Sequence, residues 1–497
     1  MRGIMRTNSV ITVFEHQRLT VTDFLQAADF AWLVAQEFTV FTIKRQRGQW
    51  QLKVGHYIGI IMLPSGMMLE ILPKTVASMQ DTHSAQQDNI SLTRHWVQRM
   101  LTDLISGGSD SPSKMPHNKN FGQFSQHLTP LLNQTPPLSQ WLATQFLQRL
   151  SAYQPSKHYQ TQVYNQSRLQ GKLLIKEQMR RNGAQPHKFV SEVSMLSQDM
   201  LSNRLIKSAL LLLTPLFNAN LFPKPLLSKT VIAWQHVTAL NPHEWRQLQP
   251  LYLSAKHQLR SQPLTQQQLQ QAQQLLEMAY WLLQGQQATI NASSSLHDDK
   301  QPTQSTPQLR LCLLINMNQA FEQWASQRIA ILFNQRDEHA QPLYQTLYQP
   351  RDVWLRDDSG QTCLSIQPDV LIYHMVNKYD ENKKNILLNK KHSPHITSND
   401  SNSKNDNHVL QCSHVIDIKW KHLAQTRDIS ASDAYQLTSY AQAYHAEQVW
   451  LIYPVTDHKR QPVLLTQAKY RVNCHAGLWL MPFNVLTGTV NQLLSIE

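Results

Sequence analysis

An aspartate and a lysine two positions apart, Asp417 and Lys419, interrupt the apolar run HVIDIKWKH at residues 414–422. Charge beside Val415, Ile416 and Ile418 is expensive unless the charges are used. Residues i and i+2 of a strand share a face, so the spacing predicts Asp417 and Lys419 on a wet, reactive face, with Ile416 and Ile418 on a core face. A second acid, Asp369, follows Pro368 at the start of PDVLIYH, an apolar strand able to pair with the 409–418 strand. Two carboxylates drawn together in a sheet repel one another unless a divalent cation lies between them, and hard oxygen ligands suit Mg2+. With Lys419 beside that cation, the set meets the needs of phosphodiester hydrolysis: a Lewis acid at the phosphoryl oxygen and an ammonium to orient the attacker. D-x-K in a strand and Pro-Asp at a strand start each arise by chance. The reading therefore rests on their joint order of acid strand, D-x-K strand, helix and strand.

Those residues need elements to hold them. Residues 9–75 alternate with β-branched residues in SVITVFEH, FTVFTIKRQRGQWQLKVGHYIGIIML and MMLEILPK, with a Pro64-Ser65-Gly66 reversal that predicts a hairpin in a β-rich domain. VASMQDTHSAQQDNIS is polar and without period. In LTRHWVQRMLTDLI, Trp96, Val97, Met100, Leu101, Leu104 and Ile105 share a helical stripe, and SGGSDSPSKMPHNKN is a loop by composition. Residues 137–285 read as mainly helical. SQDMLSNRLIKSALLLL and the glutamine-rich LTQQQLQQAQQLLEMAYWLLQ both keep apolar residues at helical spacing. GQQATINASSSLHDDKQPTQST reads as a linker.

Beyond it come helix NQAFEQWASQRIAILFNQ, strand VWLRD, turn DSGQ, strand CLSIQPDVLIYHM and a lysine- and asparagine-rich insertion at 377–407. Strand HVLQCSHVIDIKWK, helix ASDAYQLTSYAQAYH and strand QVWLIYPV follow. That order predicts an α/β unit with a mixed sheet flanked by helices. The expected organisation is a β-rich domain at 1–136, a helical middle region at 137–285, a linker at 286–307 and the α/β domain at 308–497.

The site pattern resembles the PD-(D/E)xK nuclease superfamily. Asp369 stands where the first acid belongs, Asp417 where the second does and Lys419 where the lysine does, with the 377–407 insertion lengthening the interval. The superfamily often adds a helical acid before this core and a polar residue on the helix after it. Glu322 in NMNQAFEQW and Gln436 in DAYQLTSYAQAY match these, with Tyr440 one turn on. Glu322 fits equally well a solvated glutamate beside a Phe321 and Trp324 core stripe, and Gln436 leaves a similar choice.

The blocks GHYIGIIMLPSGMMLEILPK, LQGKLLIKEQMRR, SQDMLSNRLIKSALLLL, NMNQAFEQW, QPDVLIYH and VIDIKWK with DAYQLTSYAQAY occur in the order of the McrC family. These are nuclease subunits of modification-dependent (5-methylcytosine) restriction systems. Unmatched stretches at 76–91, 106–135, 286–307 and 377–407 mark this chain as an enlarged member. The resemblance implies a cytoplasmic Mg2+-dependent DNA endonuclease subunit whose N-terminal region docks a hexameric AAA+ GTPase of the McrB type and stimulates it. It further implies Asp369, Asp417 and the Ile418 carbonyl at the metal, Lys419 at the water, and Glu322 and Gln436 in support. Two other readings remain open at this stage: a non-catalytic adaptor that stimulates the NTPase, and a stand-alone structure-specific nuclease.

Charge agrees with a polyanionic partner, since 46 Lys and Arg against 33 Asp and Glu leave a formal +13. No apolar run approaches the roughly 20 residues that span a bilayer; ALLLLTPLF is broken by Thr214 and Pro215 and reads as a buried helix end. The first residues lack a secretory signal pattern, so a cytoplasmic location is expected. Cys312, Cys363, Cys412 and Cys474 are widely spaced and expected to be reduced. GKLLIKEQMRR lacks G-x-x-x-x-G-K-[ST], which argues against nucleotide hydrolysis by this chain. Its Lys172, Lys176, Arg180 and Arg181, and likewise Arg204 and Lys207, fit either phosphate contacts or a solvated face. Glu70, Pro73 and Lys74 of LEILPK read as structural or docking residues. Lys378, Lys383, Lys384, Lys390, Lys391 and Lys404 of the insertion fit DNA backbone contacts or simple solubility.

Overall fold

The computed structural model describes residues 5–6, 10–36, 38–46, 48–74, 83–106, 136–217, 224–294, 311–336, 342–377, 408–465 and 476–491. The described residues fall into two compact units, one drawn from Met1–Lys74, Ile90–Gln98 and Asn120–Ile315, the other from Thr75–Asn89, Arg99–Lys119 and Asn316–Glu497. The protein is mixed α/β, with several sheets.

The first unit begins with β1 (Met5–Arg6), β2 (Val10–Phe14), β3 (Arg18–Leu19), α1 (Ala27–Ala35), β4 (Phe41–Gln46), β5 (Gln49–Val54), β6 (Tyr57–Met62) and β7 (Met68–Leu72). The Pro-Ser-Gly reversal joins β6 and β7 as an antiparallel pair, and Gly66 supplies the positive φ that the turn needs. One sheet runs β1-β2-β7-β6-β11, where β11 is Cys312–Asn316, and a smaller one runs β3-β5-β4. Gly59 of β6 lies where an added Cβ would stand 1.9 Å from the Leu313 carbonyl oxygen, so only glycine lets β11 approach this closely. Ile11, Val13, Leu19, Leu33, Val40, Leu52, Val54, Ile61, Leu69 and Ile71 form one apolar core between these elements.

Helix α2 (His83–Ser106) starts earlier than its apolar stripe predicts, within the segment read as polar and without period; SAQQDN is made largely of residues that tolerate a helix. Then come α3 (Leu138–Ala152), β8 (His158–Gln166), β9 (Lys172–Leu173), α4 (Ile175–Asn182), β10 (Phe189–Ser197), α5 (Leu201–Phe217), α6 (Lys224–Ala233), α7 (Pro242–Trp245), α8 (Leu248–Arg260) and α9 (Gln266–Ser294). The middle region thus holds a three-stranded antiparallel sheet, β8-β10-β9, that the helical reading missed; its strands are largely polar and lack a clean alternation. Helix α9 carries on past residue 286 to Ser294, and the division between units falls between Ile315 and Asn316. No helix among the described residues is long and apolar enough to cross a membrane.

The second unit holds α10 (Met317–Leu332), β12 (Tyr344–Tyr348), β13 (Asp352–Arg356), β14 (Thr362–Ile366), β15 (Val370–Asn377), β16 (His408–Ile418), α11 (Ala431–Tyr444), β17 (Gln448–Val455), β18 (Val463–Leu465), β19 (Gly477–Asn484) and β20 (Thr489–Val490). Its main sheet runs β12-β15-β16-β17-β19-β18, with β20 on β19. β16, β17 and β19 pair in parallel, and β12, β15 and β16 are antiparallel, so the sheet is mixed. The expected single strand CLSIQPDVLIYHM is two, β14 and β15. Pro368 has no N–H for a ladder, so the run breaks there and β14 pairs instead with β13. The 378–407 part of the insertion lies outside the described residues, as do its six lysines. Cys312, Cys363 and Cys412 are free thiols, and Cys474 is outside the description.

Helix α11 packs Leu437, Tyr440 and Ala441 on one face of the sheet against Val415, Val449, Leu451 and Tyr453. On the other face α10 sets Phe321 and Trp324 against Phe483, with ring centroids 5.6 and 5.1 Å apart. Both helices are capped by their own sequence. The Asn316 side chain accepts from the Asn318 and Gln319 amides, and Ser430 Oγ accepts from the Asp433 amide.

Candidate active site

β16 carries Asp417 one residue from its end, and the strand stops at Ile418, so Lys419 lies just beyond it. Antiparallel pairing sets Val370 opposite Ile416, which brings Asp369, immediately before β15, alongside Asp417. The Asp369 carboxylate accepts the Ile418 amide at 2.6 Å. Lys419 Nζ lies 3.1 Å from both Asp417 oxygens. Gln436, on α11, donates to Asp417 Oδ1 at 3.1 Å and to the Tyr440 hydroxyl at 2.7 Å. Tyr440 in turn donates to the Gln367 carbonyl at 3.0 Å, tying α11 to the segment that presents Asp369. From α10, the Glu322 carboxylate stands close enough to Asp369 for its charge to act on it. The geometry therefore draws together Asp369, Asp417, Lys419, Glu322 and Gln436 at one end of β16.

The face is not wet, as the alternation suggested. Asp417 is 1% exposed and shares its side of β16 with Val415, beneath α11. Tertiary packing over this strand end explains the difference: a two-residue period assigns sides but not how deep each side is covered. Burial holds Asp417 above the usual carboxylate range despite Lys419, and burial, then Glu322, then Asp417 drive Asp369 well above it. Burial pulls Lys419 down, but Asp417, Asp369 and Asp433 outweigh it, so the lysine stays an ammonium.

Three participants carried no recognisable signal in the sequence. Gln349, just after β12, has φ +44°, donates its side-chain amide to Glu322 and gives its backbone N–H to the Asp369 carbonyl at 2.9 Å. A left-handed glutamine is uncommon, and nothing in LYQPRD announces it. Asp433 is 4% exposed and bound by Lys421 Nζ at 3.0 and 2.7 Å; its charge acts on Asp417 and Lys419. Gln367 closes the set through its carbonyl. The Ser430 cap before Asp433 was the one local hint that this end of α11 is fixed. Of the flanking histidines, His414 sits between Phe333 and Trp450 on the α10 face, and burial lowers its pKa to about 4, which keeps it neutral.

The donor set is all oxygen, with no sulfur or imidazole within it. Asp417 Oδ2 is buried and makes no hydrogen bond; Lys419 Nζ is 3.1 Å away, but off the direction that a hydrogen bond needs, so the contact is one of charge alone. A hard cation fits such an atom. Among the described residues no three or more His, Cys, Asp or Glu stand ready as a complete metal cage. A cation here would take Asp369, Asp417 and the Ile418 carbonyl and complete its shell with water, which Mg2+ readily does.

Fold and site together define a mixed α/β protein with a buried carboxylate and lysine centre at the end of a strand. The chain matches the family model described as McrBC 5-methylcytosine restriction system component over residues 52–391 and 373–454, and it belongs to that family. No curated protein matches it. A Thermococcus gammatolerans structure, the refined half-complex from a tetradecameric assembly of McrB AAA+ hexamers with bound McrC, is similar over 98% of this chain and 95% of that one, with TM-score 0.54 and 14% identity. The cryo-EM structure of the Thermococcus gammatolerans McrBC complex covers 67% of this chain and 90% of that one at TM-score 0.38 and 16% identity. At 14% identity the first likeness speaks to the fold alone. The McrC resemblance read from the sequence blocks is thereby met.

Proposed function

We propose that the chain is the DNA-cutting subunit of a 5-methylcytosine restriction system, with a PD-(D/E)xK nuclease centre in its second unit. The observation that carries this is the meeting of Asp369, Asp417 and Glu322 with Lys419 at one strand end, with Asp417 Oδ2 left without a hydrogen bond. Buried carboxylates that repel one another beside one ammonium are a poor way to stabilise a fold, and two of them, Asp369 and Asp417, suit a cation set against phosphate.

In this reading Asp369, Asp417 and the Ile418 carbonyl would hold Mg2+, and the chemistry it would supply there is Lewis-acid polarisation of a phosphoryl oxygen and positive charge for the transition state. Lys419 orients the attacking water and meets the charge that develops on phosphate. Gln436 fixes one oxygen of Asp417 and leaves the other available to a ligand, and Gln349 holds Glu322 beside Asp369. The neighbour's assembly, McrB AAA+ hexamers with bound McrC, supports an AAA+ GTPase partner for this chain, which it would stimulate. The +13 charge supports DNA as the substrate. A cytoplasmic location follows from this function.

The test is cleavage of 5-methylcytosine-containing duplex DNA with the AAA+ partner, GTP and Mg2+ present. Asp417→Ala should lower cleavage by about 10³-fold or more while stimulation of the partner's GTP hydrolysis persists. Wild-type protein that stimulates the partner but never cuts would replace this reading with the adaptor. Cutting with no NTPase present would replace it with the stand-alone nuclease.

A further inference from the structure

The small β3-β5-β4 sheet of the first unit carries a face that the proposed chemistry does not use. Register sets Arg18 of β3 opposite Lys53 of β5, and Lys53 opposite Thr42 of β4, with Lys44 opposite Gln51. The alternation puts Arg18, Thr42, Lys44, Gln51 and Lys53 on one side, while Leu19, Phe41, Leu52 and Val54 turn into the core. Arg18, Lys44 and Lys53 are exposed. None of the three strands contains an aspartate or glutamate. Among the described residues no ion pair involves Arg18, Lys44 or Lys53.

Lysine on a sheet edge commonly serves to prevent edge-to-edge pairing, which accounts for Lys44 on β4. It does not account for Lys53, which lies on the middle strand directly opposite Arg18. Like charges paired across strands destabilise a sheet. The positive field extends past the sheet: after burial, His56, Lys53 and Lys74 all help lower the pKa of His16. Cations interleaved with amides, and no acid among them, are complementary to a phosphodiester backbone.

We propose that the outer face of the β3-β5-β4 sheet, through Arg18, Lys44 and Lys53, is a second DNA contact, binding the duplex backbone without reading its sequence. The inference shares with the proposed function only the choice of DNA as partner. Contacts of this kind are read by salt, because each neutralised phosphate adds about 0.9 to the slope of log K against log salt.

The experiment measures binding of a fluorescently labelled duplex by anisotropy across a salt series. It uses the full chain carrying Asp417→Asn, so that nothing is cut. Adding R18Q/K44Q/K53Q should weaken binding by about tenfold or more and make the salt slope shallower by about 2 to 3, with the melting temperature unchanged. R18K/K44R/K53R should restore both. Equal binding by the glutamine variant and its parent would overturn the proposal, as would no duplex binding by the wild type. Unchanged DNA binding with weakened association to the AAA+ partner would also overturn it, assigning the face to an acidic protein surface. Because binding is read without cleavage, a loss in the glutamine variant supports this face even if the wild type never cuts. Normal cutting with equal binding would remove this face and leave the nuclease reading intact.

Discussion

Two buried acidic clusters, one in each unit, are built to opposite plans. In the first unit Glu70 is 1% exposed and saturated: it accepts from Thr12 Oγ1 at 2.9 Å, from Arg94 Nε and Nη2 at distances down to 2.7 Å, and from the Leu138 amide at 2.8 Å. It ties β7, β2, α2 and the start of α3 to one side chain. In the second unit Asp369, Asp417 and Glu322 crowd one another around a single lysine, and one Asp417 oxygen makes no hydrogen bond. The difference separates structure from chemistry. A buried charge that holds a fold is fully partnered, and one kept for a ligand stays short of partners until the ligand arrives.

The comparison can be broken at either end. The largest effect belongs to Glu70→Ala, which leaves Arg94 buried without its carboxylate and should lower unfolding free energy by about 3–5 kcal/mol in a denaturant titration. A loss below about 1 kcal/mol would mean that the saturated network is not what holds these elements. Asp417→Asn should move the other way, raising stability by about 1 kcal/mol as buried repulsion is relieved, while removing cleavage. A destabilisation as large as that of Glu70→Ala would recast the second cluster as structural.

Glu277 sharpens the contrast because it lies between the two plans. One oxygen takes Lys256 at 3.1 Å and the Tyr252 hydroxyl at 3.4 Å, the other has no hydrogen bond, and burial carries its pKa up to about 7 against the pull of Lys256. Its folded pKa lies above the ordinary 4.5, so between pH 4.5 and 7 the unfolded chain releases a proton that the folded chain keeps. Stability from this group is therefore full below that window and declines as pH rises through it. Glu277→Gln should flatten that decline in thermal melts, the smallest effect of the three. An unchanged pH profile would show that Glu277 is solvated or fully paired in solution.

Much of the second unit was legible in the sequence because its signals are local. Period-2 runs marked β15, β16 and β17, helical stripes marked α10 and α11, and D-x-K placed two functional groups on one side by spacing alone. The misses have equally local reasons. Pro368 splits a run that hydropathy joins, and β8 and β10 are polar enough to hide a sheet inside a helical region. SAQQDN and GQQATINASS lack apolar period yet continue α2 and α9. For the site, Asp369, Asp417, Lys419, Glu322 and Gln436 were named from motif order, whereas Gln349, Gln367 and Asp433 were invisible because no short pattern marks them.

By itself, the sequence determined the charge, the order of the family blocks and the residue types that can hold a cation beside a lysine, since these depend on composition and spacing alone. Tertiary structure alone decided that Glu322 and Gln349 reach Asp369, that α11 buries Asp417 instead of leaving it in water, and that Arg18 faces Lys53. Such proximities depend on register and packing between segments far apart in the chain, which no two- or four-residue period encodes.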